Sequence, residues 1–473
     1  MAFENLRKKL NGTVHFIGLG GIGMSALALV LNKIGVKVQG SDLSENYLTQ
    51  TLRDNNIHYV VGHNANNISD DICLVVKTSI IKDNNPEIIA AQEKNIKIVT
   101  RANLLAQIMS EKKGITIAGT HGKTSTTALT ALCLELGGFD PIVINGGVIN
   151  NFKSNFKFGN GNYLIAESDE SDGSFVDLPS FIGAITNIEP EHLEFYDNDF
   201  NKVKSYFKKY ITQIPQDGLC AVCIDDDEIA KIYEKLKNEK KNLLSYSIKK
   251  DADLCAQNIV SDVSGSTFDA VFKSGKIIKN LRLSSLGIHN VSNSLVAITI
   301  ANFLGVSEDA IRKALKNFTG VKRRFTKTGE VNGVAIIDDY AHHPTEISAT
   351  LQSARQVVGK HKILLVLQPH KYTRLKDLFN EFCECVKKAD MVIVADIYSA
   401  GQNPIEGASQ DNLIDGIKKT GYKNVFKLNN ESELAKIIKD NTKSGDLVIC
   451  AGAGSITYWA NNLPKQLQEL KNG

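Results

Sequence analysis

The stretch Ala118-Gly-Thr-His-Gly-Lys-Thr-Ser-Thr-Thr127 decides the fold of the middle of this chain. It follows the apolar run Ile115–Ala118 and precedes an amphipathic segment from Ser125 to about Leu136. A strand, a glycine loop and a helix in this order form a phosphate-binding loop, because the loop N–H groups and the helix N-terminus point at an anion. The sequence therefore predicts a nucleotide-type phosphate site inside an α/β domain.

Two side chains of this loop carry its chemistry. Lys123 can reach terminal phosphates, and the Thr124 hydroxyl is placed to ligate Mg²⁺. The loop is shorter than the common P-loop, since Gly119 is the nearest glycine before Gly122. A simple turn before an ordinary helix is the alternative, and the Lys-Thr pair argues against it. The predicted loop contacts are Gly119, Thr120, His121, Gly122, Lys123, Thr124 and Ser125.

The composition is that of a soluble globular protein with several domains. The chain has 473 residues, enough for about three domains, and is 42% hydrophobic and 23% charged. Its apolar runs are too short to cross a bilayer, and the N-terminal segment does not resemble an export signal, so we expect no membrane association. The 55 basic and 52 acidic residues give a net charge of +3, which argues against a nucleic-acid partner.

The cysteines predict a reducing compartment and no metal cluster. Eight cysteines are scattered along the chain, and only Cys220 and Cys223 have C-x-x-C spacing, within an apolar run. A zinc site would need a second pair of ligands. We therefore expect reduced core thiols in a cytoplasmic protein.

The first segment contains a dinucleotide-type fingerprint. A strand at 14–17 leads into Gly18-Leu-Gly20-Gly21-Ile-Gly23, then a helix, then a strand that ends at Ser41-Asp42. The glycines allow a diphosphate to approach the helix N-terminus, and Asp42 lies where a ribose-binding carboxylate belongs. The pattern indicates a dinucleotide or another diphosphate without distinguishing them, and a nicotinamide cofactor is the usual first interpretation.

Two further strands of the first segment end in polar residues. Ser79 follows the strand at 73–76, and Arg101 follows the strand at 96–99. Strand ends of a doubly wound sheet face the ligand, so these residues either contact phosphate or sugar or cap the following helices. Both interpretations stay open from position alone.

Strand ends of the second segment carry candidate metal ligands. Glu167 is the first residue after the strand at 162–166, which makes it a candidate Mg²⁺ ligand, while the rest of the acidic run to Asp172 is expected to be a solvated loop. His192 follows a predicted strand at 184–188 and is either a second ligand or polar surface.

The remainder of this segment contains a predicted antiparallel excursion and a polar lead-in to a helix. An alternating pattern at 252–283 predicts a small antiparallel excursion. His289, Asn290 and Asn293 precede or enter a helix that ends near Phe303. Their side chains suit hydrogen bonds to a purine but are also good N-cap residues.

The third segment predicts another α/β domain with a ligand edge. Three cations at 322–324 include planar guanidinium groups suited to phosphoryl transfer, or else form an exposed face. Ionisable residues crowd the strand-to-helix junction at 338–346, and polar or glycine-rich loops follow three later strands. Loops at successive strand ends are typical of the ligand side of such a sheet.

Together these motifs resemble the Mur ligase family over nearly the whole chain. The marks are the glycine motif at 15–25, the short phosphate loop, Glu167-Ser-Asp-Glu-Ser-Asp172, the run 186–192, His289-Asn-Val-Ser-Asn293, the run 338–346 and Gln368-Pro-His-Lys-Tyr-Thr-Arg374. The short loop is usual in this family. The resemblance implies three α/β domains: a Rossmann-like UDP-sugar domain (1–107), a P-loop ATPase-like central domain with a parallel sheet that binds Mg-ATP (108–320), and a Rossmann-like amino-acid domain (321–473) that closes over its substrate.

The resemblance also replaces the nicotinamide cofactor by a UDP-sugar and implies a reaction. L-alanine would be joined to the lactyl carboxylate of UDP-N-acetylmuramate at the expense of ATP, through an acyl phosphate, in cytoplasmic peptidoglycan precursor synthesis by a monomer or weak homodimer. A related ligase that adds a preformed tripeptide is the alternative, and Gly20-Gly-Ile-Gly-Met favours the alanine reaction. A nicotinamide oxidoreductase would leave Lys123, Thr124 and Glu167 without a role.

Residue roles implied by the resemblance fall into five groups. The catalytic group is Lys123, His192, Arg324, His342 and Arg374. The ATP group adds His289, Asn290, Asn293, Arg324 and Asp339 to the loop residues 119–125. The UDP-sugar group is Gly18, Gly20, Gly21, Gly23, Ser41, Asp42, Ser79 and Arg101. The amino-acid and acyl group is Tyr340, His342, His370, Lys371 and Arg374, where Lys371 replaces a common arginine and lacks its bidentate fork. The ligands of Mg²⁺ or Mn²⁺ are Thr124, Glu167 and His192.

Overall fold

The computed structural model describes residues 3–46, 48–78, 80–262 and 264–472. They divide into two compact units, the first with Met1–Asn258, Phe268–Leu281 and Ser292–Thr319, the second with Ile259–Thr267, Arg282–Val291 and Gly320–Gly473. The described residues form three sheets with helices between their strands, which confirms the predicted α/β class. None of the described helices has both the length and the apolar character needed to span a membrane.

The first sheet is Rossmann-like and places the first glycine loop at its centre. Its elements are α1 Glu4–Lys9, β1 Thr13–Ile17, α2 Ile22–Lys33, β2 Lys37–Asp42, α3 Thr49–Asp54, β3 His58–Val61, β4 Ile72–Lys77, α4 Pro86–Glu93, β5 Lys97–Thr100 and α5 Arg101–Met109. The strand order is β3-β2-β1-β4-β5, and every neighbouring pair is parallel. The order reverses at β1, so the loop between β1 and α2 lies at the switch point where doubly wound sheets bind ligands.

The second sheet carries the phosphate loop. Its elements are β6 Lys113–Ala118, α6 Lys123–Leu136, β7 Ile142–Ile149, β8 Ser154–Lys157, β9 Tyr163–Glu167, β10 Ser180–Ile185, α7 Phe200–Gln213, β11 Leu219–Cys223, α8 Asp227–Leu236, β12 Leu243–Ser247, β13 Leu254–Asp262, β14 Gly265–Phe272, β15 Ile277–Leu283, α9 Ile288–Phe303 and α10 Glu308–Asn317. The strand order is β15-β14-β13-β12-β11-β10-β6-β9-β7-β8. The strand β6, which leads into the loop, lies between β10 and β9 and is parallel to both.

The structure refines three details of the second sheet. The sheet is mixed and not purely parallel, because β8 returns antiparallel to β7 through a short turn. The region predicted as an antiparallel excursion contains the three strands β13 to β15, which extend this same sheet beyond β12. The strand β10 begins earlier than predicted and ends at Ile185, because Thr186 and Asn187 bond to the phosphate loop.

The third sheet belongs to the second unit. Its elements are β16 Thr326–Val331, β17 Val334–Asp339, α11 Pro344–Val358, β18 Ile363–Leu367, α12 Tyr372–Asp377, α13 Phe379–Cys385, β19 Met391–Val394, α14 Gln410–Lys419, β20 Val425–Lys427, α15 Leu434–Asn441, β21 Leu447–Ala451 and α16 Ile456–Asn472. The order is β16-β17-β21-β18-β19-β20, and only the hairpin β16–β17 is antiparallel among these described pairs. The carboxyl ends of β17, β18, β19 and β21 therefore share one edge.

One hydrophobic core joins the first and second sheets inside the first unit. Leu27 and Leu31 of α2 lie in the same buried cluster as Ile144 of β7 and Leu164 of β9. A polar contact reinforces it, since the Asn155 side-chain amide donates to a backbone carbonyl at the start of α2, 2.7 Å away. The two glycine loops are thus carried by a single packed body.

Candidate active site

The shape of the phosphate loop is set by the end of β10. Gly119 has φ of 124° and Gly122 has φ of 82°, conformations that favour glycine. A Cβ added to Gly119 would lie 2.1 Å from Thr186 Oγ1, so no larger residue fits there. Thr186 Oγ1 donates to the carbonyl of His121 at 2.6 Å, and the His121 N–H donates to Asn187 Oδ1 at 2.7 Å. These contacts fix the loop before any ligand arrives.

The Lys123 ammonium is fully engaged within the first unit. Its Nζ donates to the carbonyls of Gly119 at 2.5 Å and Thr120 at 3.1 Å, and to the Glu170 carboxylate at 2.8 Å. Burial lowers the pKa of Lys123, but the nearby carboxylates, Glu170 foremost, outweigh it and raise that pKa above its ordinary value. Burial raises the pKa of Glu170 to about 7, against the opposing effect of Lys123.

The acidic run after Glu167 is not the solvated loop that the sequence predicted. Ser168 and Glu170 are buried, with Glu170 only 3% exposed. A short 3-10 turn at 170–172 directs the Glu170 carboxylate inward, and the Tyr196 hydroxyl donates to the Glu170 carbonyl at 2.5 Å. Sequence analysis missed Glu170 because acidic clusters are usually exposed and its lysine partner is distant in the sequence.

Two predicted metal ligands lie together. The Thr124 hydroxyl is 3.2 Å from Glu167 Oε2, and the Gly146 N–H donates to Glu167 Oε1 at 2.5 Å. A hydroxyl and a carboxylate are oxygen donors of the kind that Mg²⁺ prefers, so these residues fit the expected ion. His192 lies in the loop after β10 in a left-handed conformation, with Nδ1 3.9 Å from the Glu194 carboxylate.

The start of α9 brings one predicted nucleotide residue to the phosphate loop. A Cβ added to Gly122 would lie 2.8 Å from Asn293 Oδ1. The helix begins at Ile288, so His289 and Asn290 occupy its first turn and are not its N-cap. The Asn290 amide donates to the carbonyl of Leu286 at 2.7 Å.

The first glycine loop gathers four predicted UDP-sugar residues. Asp42 Oδ2 accepts from the N–H of Gly20 at 2.8 Å. A Cβ added to Gly23 would lie 3.2 Å from Arg101 Cδ, so the arginine side chain covers this loop. Arg101 Nη2 is also 3.4 Å from Asp169 Oδ2, next to Glu170 of the phosphate-loop network. Thr100, and not Arg101, caps the following helix.

Ser41 belongs to a buried network that sequence reasoning missed. Its hydroxyl donates to Glu87 Oε2 at 2.6 Å and lies 2.9 Å from His63 Nδ1. Burial raises the pKa of Glu87, but hydrogen bonds from His15, Ser41 and Asn67 outweigh it and keep that pKa below its ordinary value. The network fixes the ends of β2 and β3 beside the loop. The predicted Ser79 lies outside the described residues.

In the second unit, Arg324 lies close to the residues that follow β17, at 340–346. The Arg324 guanidinium lies 5.2 Å from the centre of the Tyr340 ring and 3.5 Å from Glu346 Oε1. His342 Nδ1 is 2.8 Å from the carbonyl of Tyr340 and 3.4 Å from the Glu346 carboxylate. Burial raises the pKa of Asp339 to about 6, although Arg324 and two backbone N–H donors oppose this.

Around His370, aromatic rings and cations form the rest of this cluster. The His370 ring stacks on Tyr398, with centroids 5.6 Å apart and planes at 8°, and meets His342 edge-on at 5.6 Å. Arg374 Nη1 is 3.3 Å from His370 Nδ1. Burial, followed by the charges of His342 and Arg374, lowers the pKa of His370 to about 3, so its ring is neutral. Lys371 donates its backbone N–H to the Tyr398 carbonyl at 2.9 Å.

Tyr398 is a neighbour that the sequence did not reveal. It follows β19 by four residues, and the only hint was the strand that ends just before it. The structure thus brings Tyr340, His342, His370 and Arg374 close together, with Tyr398 beside His370.

Three family models match successive parts of the chain. They are described as Mur ligase family, catalytic domain (residues 13–113), Mur ligase middle domain (117–301) and Mur ligase, glutamate ligase domain (323–454). Together they cover each of the sheets described above.

Curated relatives match over nearly the whole length. The chain is 44% identical over 464 residues to a UDP-N-acetylmuramate–L-alanine ligase of Rhodospirillum centenum, covering 97% of this chain and 95% of that one. It is 45% identical to the ligase of the same name from Brucella ovis, covering 97% and 98%.

Solved structures share the fold. A UDP-N-acetylmuramate-alanine ligase from Thermotoga maritima matches with a TM-score of 0.83 and 29% identity, covering 97% of this chain and 100% of that one. A murein peptide ligase from Psychrobacter arcticus matches with a TM-score of 0.71 and 22% identity, covering 96% and 98%.

Proposed function

The chain belongs to the Mur ligase family, and from this we propose that it joins L-alanine to the lactyl carboxylate of UDP-N-acetylmuramate with cleavage of ATP to ADP and phosphate. The observation that carries the proposal is identity of 44–45% over 97% of the chain to ligases of that specificity. The tripeptide-adding alternative is not favoured, because the curated relatives at 44–45% identity carry the name of the alanine-adding ligase.

The reaction needs an activated carboxylate, since a carboxylate is a poor electrophile. Transfer of the γ-phosphoryl group would give an acyl phosphate, which the amine of alanine attacks with release of phosphate. Such chemistry depends on positioning and charge neutralisation and needs no protein nucleophile. We assign Lys123 and Arg324 to the γ-phosphate, and Asn293 with His289 and Asn290 to the nucleotide.

Thr124 and Glu167 are the residues that would hold Mg²⁺, with His192 assigned to a second ion. The oxygen donors of Thr124 and Glu167, 3.2 Å apart, support this assignment. When bound, Mg²⁺ would neutralise phosphate charge and orient the phosphates. The protein itself holds the metal-binding side chains in place. The Gly146 N–H donates to the Glu167 carboxylate and so fixes its position.

The cluster in the second unit suits the amino acid and the reacting carboxyl group. The Arg374 guanidinium can bind the alanine carboxylate through paired hydrogen bonds. A neutral His370 can accept a hydrogen bond from the alanine nitrogen, and its low pKa keeps it in that form at the pH of the cytoplasm. Tyr340 and His342 would line the acyl group.

The remaining assignments complete the proposal. The residues assigned to the UDP-sugar diphosphate and ribose are Gly18, Gly20, Gly21, Gly23, Ser41, Asp42, Ser79 and Arg101. We propose functional domains at 1–107, 108–320 and 321–473, in a cytoplasmic protein that is a monomer or weak homodimer. The hydrogen bond between Asp42 and Gly20 supports the first assignment.

The test is phosphate release with Mg-ATP and UDP-N-acetylmuramate, compared with L-alanine, with the tripeptide and with no acceptor. Release that requires both UDP-N-acetylmuramate and L-alanine is the expected result. Release only with the tripeptide would move the chain to the alternative reaction, and release in none of these mixtures would contradict the ligase function.

A further inference from the structure

Within the first unit, the hydrogen-bonding capacity of Lys123 is already exhausted. A lysine ammonium has three N–H donors and no acceptor. The three acceptors within bonding distance are the Gly119 carbonyl at 2.5 Å, the Thr120 carbonyl at 3.1 Å and Glu170 Oε2 at 2.8 Å. A phosphate oxygen can therefore be bound by Lys123 only if one of these acceptors is given up.

Of the three acceptors, Glu170 is the one that resembles a phosphate. The two carbonyls are neutral and belong to the loop that Lys123 itself closes, whereas the Glu170 carboxyl group comes from another loop and is an anion above its pKa of about 7. Its backbone is held by the Tyr196 hydroxyl at 2.5 Å, and its side chain is 4% exposed, so water cannot replace the lysine easily. A charged, buried pair of this kind is stable only while both partners are present.

We propose that Glu170 is an internal substitute for a nucleotide phosphate on Lys123, which the phosphate must displace during binding and which takes the lysine back on release. The inference rests on the proposed function in one respect, since it takes the ligand of this loop to be ATP or ADP. Glu170 is then a positioning residue that limits nucleotide affinity and favours product release.

The proposal predicts the sign of a change in affinity. Replacing Glu170 by the isosteric amide removes the competing charge and takes from Lys123 the carboxylate that it is hydrogen-bonded to. In the nucleotide-free protein this leaves Lys123 only the charges of Asp169 and Glu167. Both effects favour the nucleotide-bound state. If Glu170 only shaped the loop for its ligand, the same replacement would weaken binding.

The experiment measures Mg-ADP binding to the full chain by calorimetry, at a pH above the Glu170 pKa of about 7, for the wild type, Glu170→Gln and Asp172→Asn. Asp172 is the matched control, because it belongs to the same acidic run but its carboxylate accepts from the backbone N–H of Ser174 at 3.1 Å. We expect about a tenfold lower Kd for Glu170→Gln and a change of less than about twofold for Asp172→Asn. An equal or higher Kd for Glu170→Gln would overturn the inference.

A second variant keeps the test decisive if the amide disturbs folding. Glu170→Asp retains the charge but shortens its reach, so it should also lower the Kd, by less than the amide does. The thermal shift on adding Mg-ADP should likewise be larger for both Glu170 variants than for the wild type. Equal shifts would count against displacement.

Failure of the inference and failure of the proposed function give different results. A wild-type chain that binds Mg-ADP while the Glu170 variants bind no tighter contradicts the inference alone. Tighter binding by the variants without alanine-dependent phosphate release contradicts the proposed function alone. A wild-type chain that does not bind Mg-ADP contradicts both.

Discussion

The two glycine loops of the first unit have the same architecture and opposite electrostatics. Each follows a buried parallel strand and opens a helix, α2 in one case and α6 in the other. In the loop after β1, a carboxylate from the next strand, Asp42, accepts a backbone N–H of the loop. In the loop after β6, the loop supplies its own cation, Lys123, and a buried carboxylate neutralises it.

This difference separates binding from chemistry. A loop whose own residues include no cation can hold a diphosphate through its backbone N–H groups but does not itself stabilise the charge that develops during phosphoryl transfer. Adding a lysine provides that charge, and a buried lysine then requires a counter-ion while no phosphate is bound. Glu170, from the acidic run after β9, is placed to provide this counter-ion.

The largest expected effect comes from removing the cation. Lys123→Met should lower kcat by about 10³-fold or more, because the developing phosphoryl charge loses its partner. Alanine-dependent phosphate release measures it, with the exposed Lys231→Met on α8 as control. Activity within tenfold of wild type would mean that the two loops differ less than their electrostatics suggest.

The next largest effect comes from the space around one glycine of each loop, which is closed at Gly119 and open at Gly18. Gly119→Ala should destabilise the protein by about 3 kcal/mol, because φ is 124° and the new Cβ would lie 2.1 Å from Thr186 Oγ1. Gly18→Ala should cost only about 1–2 kcal/mol, since φ is 86° and the space around it is open within 4 Å. Urea unfolding compares them, and equal losses would show that neighbouring side chains do not set the loop shape.

The buried carboxyl group of Glu170, which pairs with Lys123 of the second loop, should appear in the pH dependence of stability. The pKa of Glu170 is raised from 4.5 to about 7, so folding favours its protonated form. The unfolding free energy should therefore fall as pH rises from about 4.5 to about 7, by roughly 2 kcal/mol relative to Glu170→Gln. Denaturant titrations at several pH values measure the difference, and parallel curves for both proteins would refute it.

A smaller effect is expected at Asp42, the carboxylate at the end of β2 that accepts a hydrogen bond from the first glycine loop. Asp42→Asn should raise the KM for UDP-N-acetylmuramate by about tenfold with little change in kcat, because it weakens binding and leaves the phosphoryl site intact. The control is Asp54→Asn on α3, because the Asp54 carboxylate is exposed and accepts a hydrogen bond from the Gln50 side chain of the same helix. A fall in kcat with constant KM would place Asp42 in the chemistry instead.

Local pattern was enough to predict the fold class and much of the candidate site. Lys123, Thr124 and Glu167 were predicted because each lies at a strand end or loop whose position in a parallel sheet is known in advance. The structure places Thr124 and Glu167 3.2 Å apart. The family resemblance supplied what local pattern left open, namely which ligand each loop binds.

The rest depended on contacts between distant segments. Glu170 and Lys123 are 47 positions apart in the sequence. Tyr398 and His370 lie in the loops that follow the neighbouring strands β19 and β18, and their rings stack. The burial of Glu170 follows from its pairing with Lys123, and neither an acidic cluster nor a lone tyrosine indicates such a partner in the sequence. The mixed character of the second sheet was missed for a similar reason, since β8 is a short polar strand without a strong alternating pattern.

The core that α2 shares with β7 and β9 has a practical consequence for anyone who would dissect this protein. A fragment that begins at the second sheet would expose to water the apolar faces that Leu27 and Leu31 now cover, and exposed patches of this kind promote aggregation. Screening of ligands for either glycine loop should therefore use chains that retain both, because neither loop is carried by a body with a complete interior of its own.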